Sequence, residues 1–308
     1  MGKRIAAVVT TTLDEEIGPE KGPFTADLVV ECLELLVKNS SKELTDVILV
    51  DNASPNPERL QSLIFDKVKV DRVIRIDQND GVNSVFHKTL SQLQEYDIIA
   101  HFHCDLMIVD NAWDELVAMA FDIDPKLGLA GMVGSYEIDG AGGRGLGCHT
   151  TYMGYKYRSG QGSPAEIHGA RTQGVISAAV LDHCSMIFRK SVLEQLPAQL
   201  EAGFAPHHFG DRIWCCEVLN RGYHIALLGI DCDHFGGASG IGLSEYMAMS
   251  RRWLEKYDIP HDSESPDGAL YKEAERIFLS KWRDTLHFIP LRVNSDYSIT
   301  HRHPEWRE

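Results

Sequence analysis

The segment "DVILVDNASPNPERLQSLIF", residues 46–65, decides the fold. It opens with an unbroken apolar run from Val47 to Val50, passes into Asp51-Asn52-Ala53-Ser54, and continues through Pro57 into a helical pattern. A continuous rather than alternating apolar strand is buried on both faces, as in a parallel sheet covered by helices. The same unit recurs on either side. "RIAAVVT" (4–10) reads as a strand and "TADLVVECLELLVKN" (25–39) as a helix. "DRVIRID" (71–77) is a strand, "NSVFHKTLSQLQEY" (83–96) a helix, and "DIIAHFH" (97–103) a further strand. The pattern predicts an α/β chain with a Rossmann-like, mostly parallel central sheet and helices on both faces. In such open sheets ligands lie at the carboxyl ends of the strands.

Those ends carry Thr10-Thr11-Thr12, Asp51-Asn52-Ala53-Ser54, Asp77-Gln78-Asn79-Asp80-Gly81 and His103-Cys104-Asp105. One such cluster suits a turn, because Asn, Asp and Ser bond their own backbone. Four along one sheet edge predict a binding crevice. Beyond it, residues 134–174 are rich in Gly, Ser, Tyr and His and lack a period, which predicts an irregular functional loop. "AAVLDHCSMIFRKSVLEQL" (178–196) reads as a strand followed by a short helix. Asp211 then opens a helix that Gly222 closes, and "YHIALLG" (223–229) is another strand. Two amphipathic helices, around 246–257 and 271–286, complete the chain before a polar tail.

Composition narrows the function classes. The 308 residues are 44% hydrophobic and 24% charged, ordinary globular material. Thirty Lys and Arg against forty-five Asp and Glu give a formal charge of −15, which repels nucleic acid and anionic lipid. An anionic small substrate therefore needs a local cation or backbone amides. No apolar run is long enough to span a bilayer, no leader pattern opens the chain, and the seven cysteines form no CxxC pair. These features predict a soluble cytoplasmic protein with reduced thiols, and leave a homo-oligomer open.

Taken in order, these segments resemble the GT-A-fold glycosyltransferases, particularly the family 2 enzymes and their rhamnosyltransferase-like members, over roughly 1–240. "AAVVTTT" is similar to the family's first strand, and "VILVDNAS" to its V-x-V-D-[DN]-x-S motif. "IDQNDGVNSVFHKTL" resembles the N-x-G-x-x-x-x-x-N segment, and "HCDLMI" falls where the D-x-D motif belongs. "FGDRIWCCEVLNRGYHIALL" is similar to F-x-E-D-x-D-L-x-x-R-x-x-x-x-G-Y, and "DHFGG" sits where the family often has a His. Three positions depart from the pattern. His103 stands for the first D-x-D carboxylate, Gly210 for the Glu of the E-D pair, and His87 near the usual Asn or Arg.

The resemblance implies a hexosyltransferase-type enzyme with a catalytic domain over 1–240, comprising a nucleotide-binding half (1–110) and an acceptor half (111–240), and a helical C-terminal extension over 241–308. It implies a UDP-, dTDP- or GDP-linked sugar donor, an unidentified hydroxyl acceptor, and Mn2+ or Mg2+. Asp105, His234 and His103 are then the metal ligands. Asp51, with Thr10 and Thr12, would bond the base, while Thr11, Asn52, Asn79, Gly81, His87 and Cys104 line the crevice. Gly81 would do so through close backbone approach. Asp211 corresponds to the base of an inverting transferase, and is also well placed as an N-cap. His207 and His208 flank it, and Arg251 and Arg252 could close over the diphosphate.

Two other readings share these residues. One is a non-catalytic nucleotide-sugar-binding domain, given the departures at His103 and Gly210. The other is a zinc hydrolase, since His101-Phe102-His103-Cys104-Asp105 is an H-x-H-x-D core, although Leu106 follows where such enzymes carry a His.

Overall fold

The computed structural model describes residues 4–12, 26–135, 138, 142–143, 148–150, 172–197, 205–234, 244–283, 292–293 and 299–300. The first third alternates as its sequence pattern requires: β1 (Ile5–Thr11), α1 (Ala26–Asn39), β2 (Thr45–Asn52), α2 (Pro57–Leu60), β3 (Arg72–Ile76), α3 (Val82–Leu90) and β4 (Ile98–His103). The helix expected over 56–65 is a single α turn that widens into a π turn at Gln61–Phe65. Next come β5 (Leu106–Ile108), α4 (Trp113–Ile123), β6 (Leu127–Gly131), β7 (Val133–Ser135), β8 (Cys148–Thr150), β9 (Val175–Ser177), β10 (Val180–Leu181) and β11 (Ser185–Arg189). The remainder comprises α5 (Lys190–Leu193), α6 (Gly210–Asn220), β12 (His224–Leu228), β13 (Cys232–His234), α7 (Ser244–Lys256), α8 (Asp267–Trp282) and the short pair β14 (Arg292–Val293) and β15 (Ile299–Thr300).

The central sheet has eight strands in the order β3-β2-β1-β4-β11-β6-β12-β9. Strands β3, β2, β1 and β4 are parallel, as are β6 and β12; β11 runs antiparallel between β4 and β6, and β9 antiparallel beside β12. Every residue of β1 is buried, because both faces are covered. Ala6 and Val8 share one apolar cluster with Phe86 of α3, Trp214 of α6 and Phe278 of α8. Ile5, Ala7 and Val9 share the other with Leu33 of α1 and Trp113 and Phe121 of α4.

Within 178–196 the expected short helix is present as α5, but the expected strand is two strands in two sheets: β10 pairs with β7 in a three-stranded sheet, whereas β11 enters the central sheet. The break is Asp182-His183-Cys184, where the Asp182 carboxylate accepts the Cys184 N–H at 2.9 Å and closes the turn. This turn lies against the end of β4, since the His103 N–H donates to the Cys184 carbonyl at 3.0 Å.

The C-terminal helices pack into the core, with Leu254, Leu270, Ala274, Phe278 and Trp282 all in the cluster that covers the sheet. Most of the irregular segment 134–174 lies outside the described residues. Among the described residues no helix is long and apolar enough to cross a membrane, and Cys32, Cys104, Cys184, Cys215, Cys216 and Cys232 are buried and not in disulfides.

Candidate functional site

Three chain segments converge at the carboxyl end of β4. That strand delivers His103, and the turn after it delivers Asp105. The third residue arrives through a two-stranded pairing of β13 with β5, whose register sets His234 opposite Leu106 and so beside Asp105. His234 Nε2 lies 3.2 Å from Asp105 Oδ1, and His103 Nδ1 lies 3.9 Å from the same oxygen. One ligand atom from each residue falls within 4.8 Å of the others. Two imidazoles and a carboxylate in this arrangement are a donor set that fits a single divalent cation, with the imidazoles favouring a transition metal over magnesium.

Asp105 is fully buried, not at an open crevice mouth as the end of a strand suggests. Burial, reinforced by the neighbouring His183, lowers the pKa of His103 to about 4, so the ring is neutral and has a lone pair to give at ordinary pH.

His101 does not join this group. Its Nε2 lies 2.7 Å from Thr10 Oγ1, and its ring packs 4.3 Å from that of Phe86, beneath α3. Burial holds its pKa well below the ordinary value. The H-x-H-x-D zinc reading, which needs His101 and His103 on one metal, is thereby corrected: the second imidazole comes from His234, far along the chain.

The expected nucleotide residues divide between the two faces of the sheet. Thr10 and Asn52 follow the apolar residues of one face, Thr11, Asp51 and Cys104 those of the other. Asn52 donates to Asn79 Oδ1 at 3.0 Å, the Gly81 N–H donates to the same oxygen at 2.9 Å, and Thr12 donates to the Asn52 carbonyl at 3.0 Å. These bonds tie the β1, β2 and β3 ends into one rim. Arg252 of α7 closes it, donating to the Asn79 carbonyl at 3.1 Å. Arg251 turns away and bonds the Ser263 carbonyl at 2.7 Å.

Asp51 is 2% exposed, accepts the Ser54 N–H at 2.9 Å, and forms an ion pair with Arg75. Sequence reasoning missed Arg75, although the parallel register sets it directly across from Asp51.

Three other expected residues have surroundings of their own. His87 lies away from this rim: its Nε2 is 3.3 Å from the Leu196 carbonyl and its ring 5.4 Å from that of Trp214. Cys104 sits in the apolar cluster under α1, where burial, with the Asp105 charge, raises its pKa and keeps it a thiol. Gly81 adopts a positive φ of 89° and makes a close backbone approach, to Pro206, whose carbonyl a Cβ would strike.

Asp211 stands in the first turn of α6 rather than capping it. The N-cap is Phe209, in the left-handed conformation, without a side-chain cap bond, and Asp211 Oδ1 accepts the Arg212 N–H at 2.8 Å. His208 and Phe209 are consecutive non-glycine residues at φ of 60° and 51°, a sparsely populated backbone state. Two contacts from α8 hold it: His208 Nε2 lies 2.8 Å from Asp267 Oδ1, and the Phe209 ring packs 5.4 Å from those of Tyr271 and Phe278. Gly210 is required here, because a Cβ would run into the side-chain amide of Asn83 on α3.

His183 completes the surroundings. Its Nδ1 is 3.0 Å from His103 Nε2. Burial brings its pKa down to about 4, against the upward pull of the Asp211 carboxylate. His183 lacks a motif signal; the turn after β10 alone places it.

No protein-family model and no curated protein matches the sequence. Solved structures do match its fold. A mannosyltransferase from Pyrobaculum calidifontis, solved with GDP-Man and Mn2+, aligns with 93% of this chain and 72% of its own at 14% identity and a TM-score of 0.49. The S. aureus protein TarS, residues 1–349, aligns with 95% of this chain and 76% of its own at 15% identity and a TM-score of 0.41. GalNAc-T7, solved with UDP, GalNAc and Mn2+, aligns with 92% of this chain at 9% identity and a TM-score of 0.52, and the chain spans 56% of that protein. At 9% identity the likeness to GalNAc-T7 is one of fold: with its mixed, mostly parallel sheet, the chain has the GT-A fold.

Proposed function

We propose that this chain is a metal-dependent glycosyltransferase that moves a hexosyl group from a nucleotide-sugar donor to a hydroxyl acceptor with inversion. The observation that carries the reading is the meeting of His103, Asp105 and His234 at the carboxyl end of the central sheet, beside the rim built by Asn52, Asn79 and Thr12. Support comes from the fold shared with GalNAc-T7, a protein solved with UDP, GalNAc and Mn2+. A cation held by the three residues would supply Lewis acidity to the departing diphosphate. With a net charge of −15, such a local positive centre would offset the repulsion of an anionic donor.

The protein's own groups divide the remaining work. Asp51 and Arg75 form the polar end of the base pocket, and Arg252 stands where it can meet the donor's anionic part. Asp211 takes the proton from the acceptor hydroxyl at its carboxylate. The acceptor site lies on the Asp211 side, near His207, whose ring is 4.7 Å from that of His208.

The test is a panel of UDP-, dTDP- and GDP-sugars assayed for transfer and hydrolysis with Mn2+, with Mg2+ and with chelator. Turnover of at least one donor that Mn2+ supports better than Mg2+, and that Asp105→Asn lowers by about a hundredfold, is the expected result. Donor binding without turnover on any acceptor or water would identify a binding domain instead. Full activity of Asp105→Asn would remove the metal assignment.

A further inference from the structure

We propose that His183 is a positioning residue that fixes the His103 ring in the tautomer able to bind the cation through Nδ1. The proposal rests on the metal reading above. His103 has two nitrogens with different surroundings. Nδ1 faces the Asp105 carboxylate at 3.9 Å, inside the group formed with His234, whereas Nε2 lies 3.0 Å from His183 Nδ1. A neutral imidazole carries one N–H. If Nδ1 is to offer a lone pair to a cation, the proton must sit on Nε2, and His183 Nδ1 is the atom that accepts it. A partner of this kind sets both tautomer and ring orientation, because a ligating histidine that donates from its other nitrogen cannot rotate away.

The fold places His183 for this role through the turn that divides β10 from β11. The His103 N–H bonds the Cys184 carbonyl at 3.0 Å, and Asp182 closes the turn through the Cys184 N–H at 2.9 Å. Backbone and side chain of the same turn therefore hold both ends of His103. The proton of His183 must then be on Nε2, a buried nitrogen without a hydrogen-bond partner among the described residues. That N–H is the donor this arrangement leaves for an oxygen of water or substrate.

Mn2+ binding to the full chain, measured by electron paramagnetic resonance and calorimetry, tests the assignment alongside the ring nitrogen shifts of His103 in metal-free protein. His183→Ala should weaken Mn2+ binding about tenfold to a hundredfold. His183→Asn, whose amide oxygen can occupy the place of Nδ1, should recover affinity to within about threefold of the parent, a rescue that a purely packing role would not give. The parent spectrum should show His103 protonated at Nε2, and His183→Ala should shift it toward a mixture of tautomers. If Asp105→Asn abolishes Mn2+ binding while His183→Ala leaves both affinity and tautomer unchanged, the positioning role is wrong and the metal site stands. A parent chain that binds no Mn2+ overturns both.

Discussion

At the scale of single residues, the hardest distinction is between a side chain that does chemistry and one that only shapes the backbone. Asp211 shows how the two separate. Because Phe209 rather than Asp211 is the cap, the carboxylate is not needed to start α6, and its favourable position in the first turn contributes about 0.3–1 kcal/mol. Asp211→Asn should therefore shift the denaturation midpoint only slightly, leave donor affinity near the parent value, and reduce transfer to acceptor by about a hundredfold or more. Retained transfer in that variant would strip Asp211 of its role as base. Asp51 gives the opposite lesson: its place at the end of β2 was legible in "VDNAS", but its ion pair with Arg75 was not, since a strand sequence does not name its neighbour across the sheet.

Elements meet where side chains are small, and the contact of α3 with α6 is the clearest case. Gly210 departs from the carboxylate of the resembling motif, and the structure supplies a physical reason: Asn83 occupies the volume a side chain there would need, while bonding the Ala205 carbonyl at 3.2 Å. Gly210→Ala should destabilise the protein by about 1–3 kcal/mol through overpacking and disturb Asp211 beside it. Asn83→Ala should cost less and, combined with Gly210→Ala, recover much of the loss. A double-mutant cycle with a coupling below about 0.5 kcal/mol would show that the two positions do not interact. The single strand expected at the start of 178–196 is split for a related reason. The apolar residues on either side of Asp182 are strand-like, but the Asp182 turn sends the two halves to different sheets, and only pairing partners reveal that.

Across the whole molecule, the C-terminal helices and the site are one packed body, and buried histidines link its stability to pH. His207 packs with its ring 5.2 Å from that of Tyr246 on α7 and 4.7 Å from that of His208. Burial, with the neighbouring His208 and His103, lowers its pKa to about 3 against the upward pull of Asp267 and Asp211. Its folded value lies below that of the unfolded chain, about 6.5, so the unfolded state binds the proton more readily. Stability from this neutral ring is fully present above about pH 6.5. It is lost as pH falls toward about 3, by up to ~1.4 kcal/mol per pH unit. Urea midpoints measured between pH 7.5 and 4.5 should fall with acid, and more shallowly in His207→Gln. Identical slopes in the two proteins would mean that His207 is not the titrating group.

What the sequence determined by itself was the local chemistry: buried strands, the helices between them, and the polar residues each strand presents at its carboxyl end. These follow from apolar runs, turn formers and spacing within about 20 residues, which act through the nearby backbone. It also named His103, Asp105, His234 and Asp211, through a resemblance in motif order. The tertiary structure alone decided that the first three of these share one space while His101 beside them does not. It also decided that His183 backs the ring of His103, and that α8 braces the left-handed backbone before Asp211. Each of those outcomes depends on strand register and helix packing between segments far apart in the chain, where a shift of a single residue turns a side chain to the opposite face.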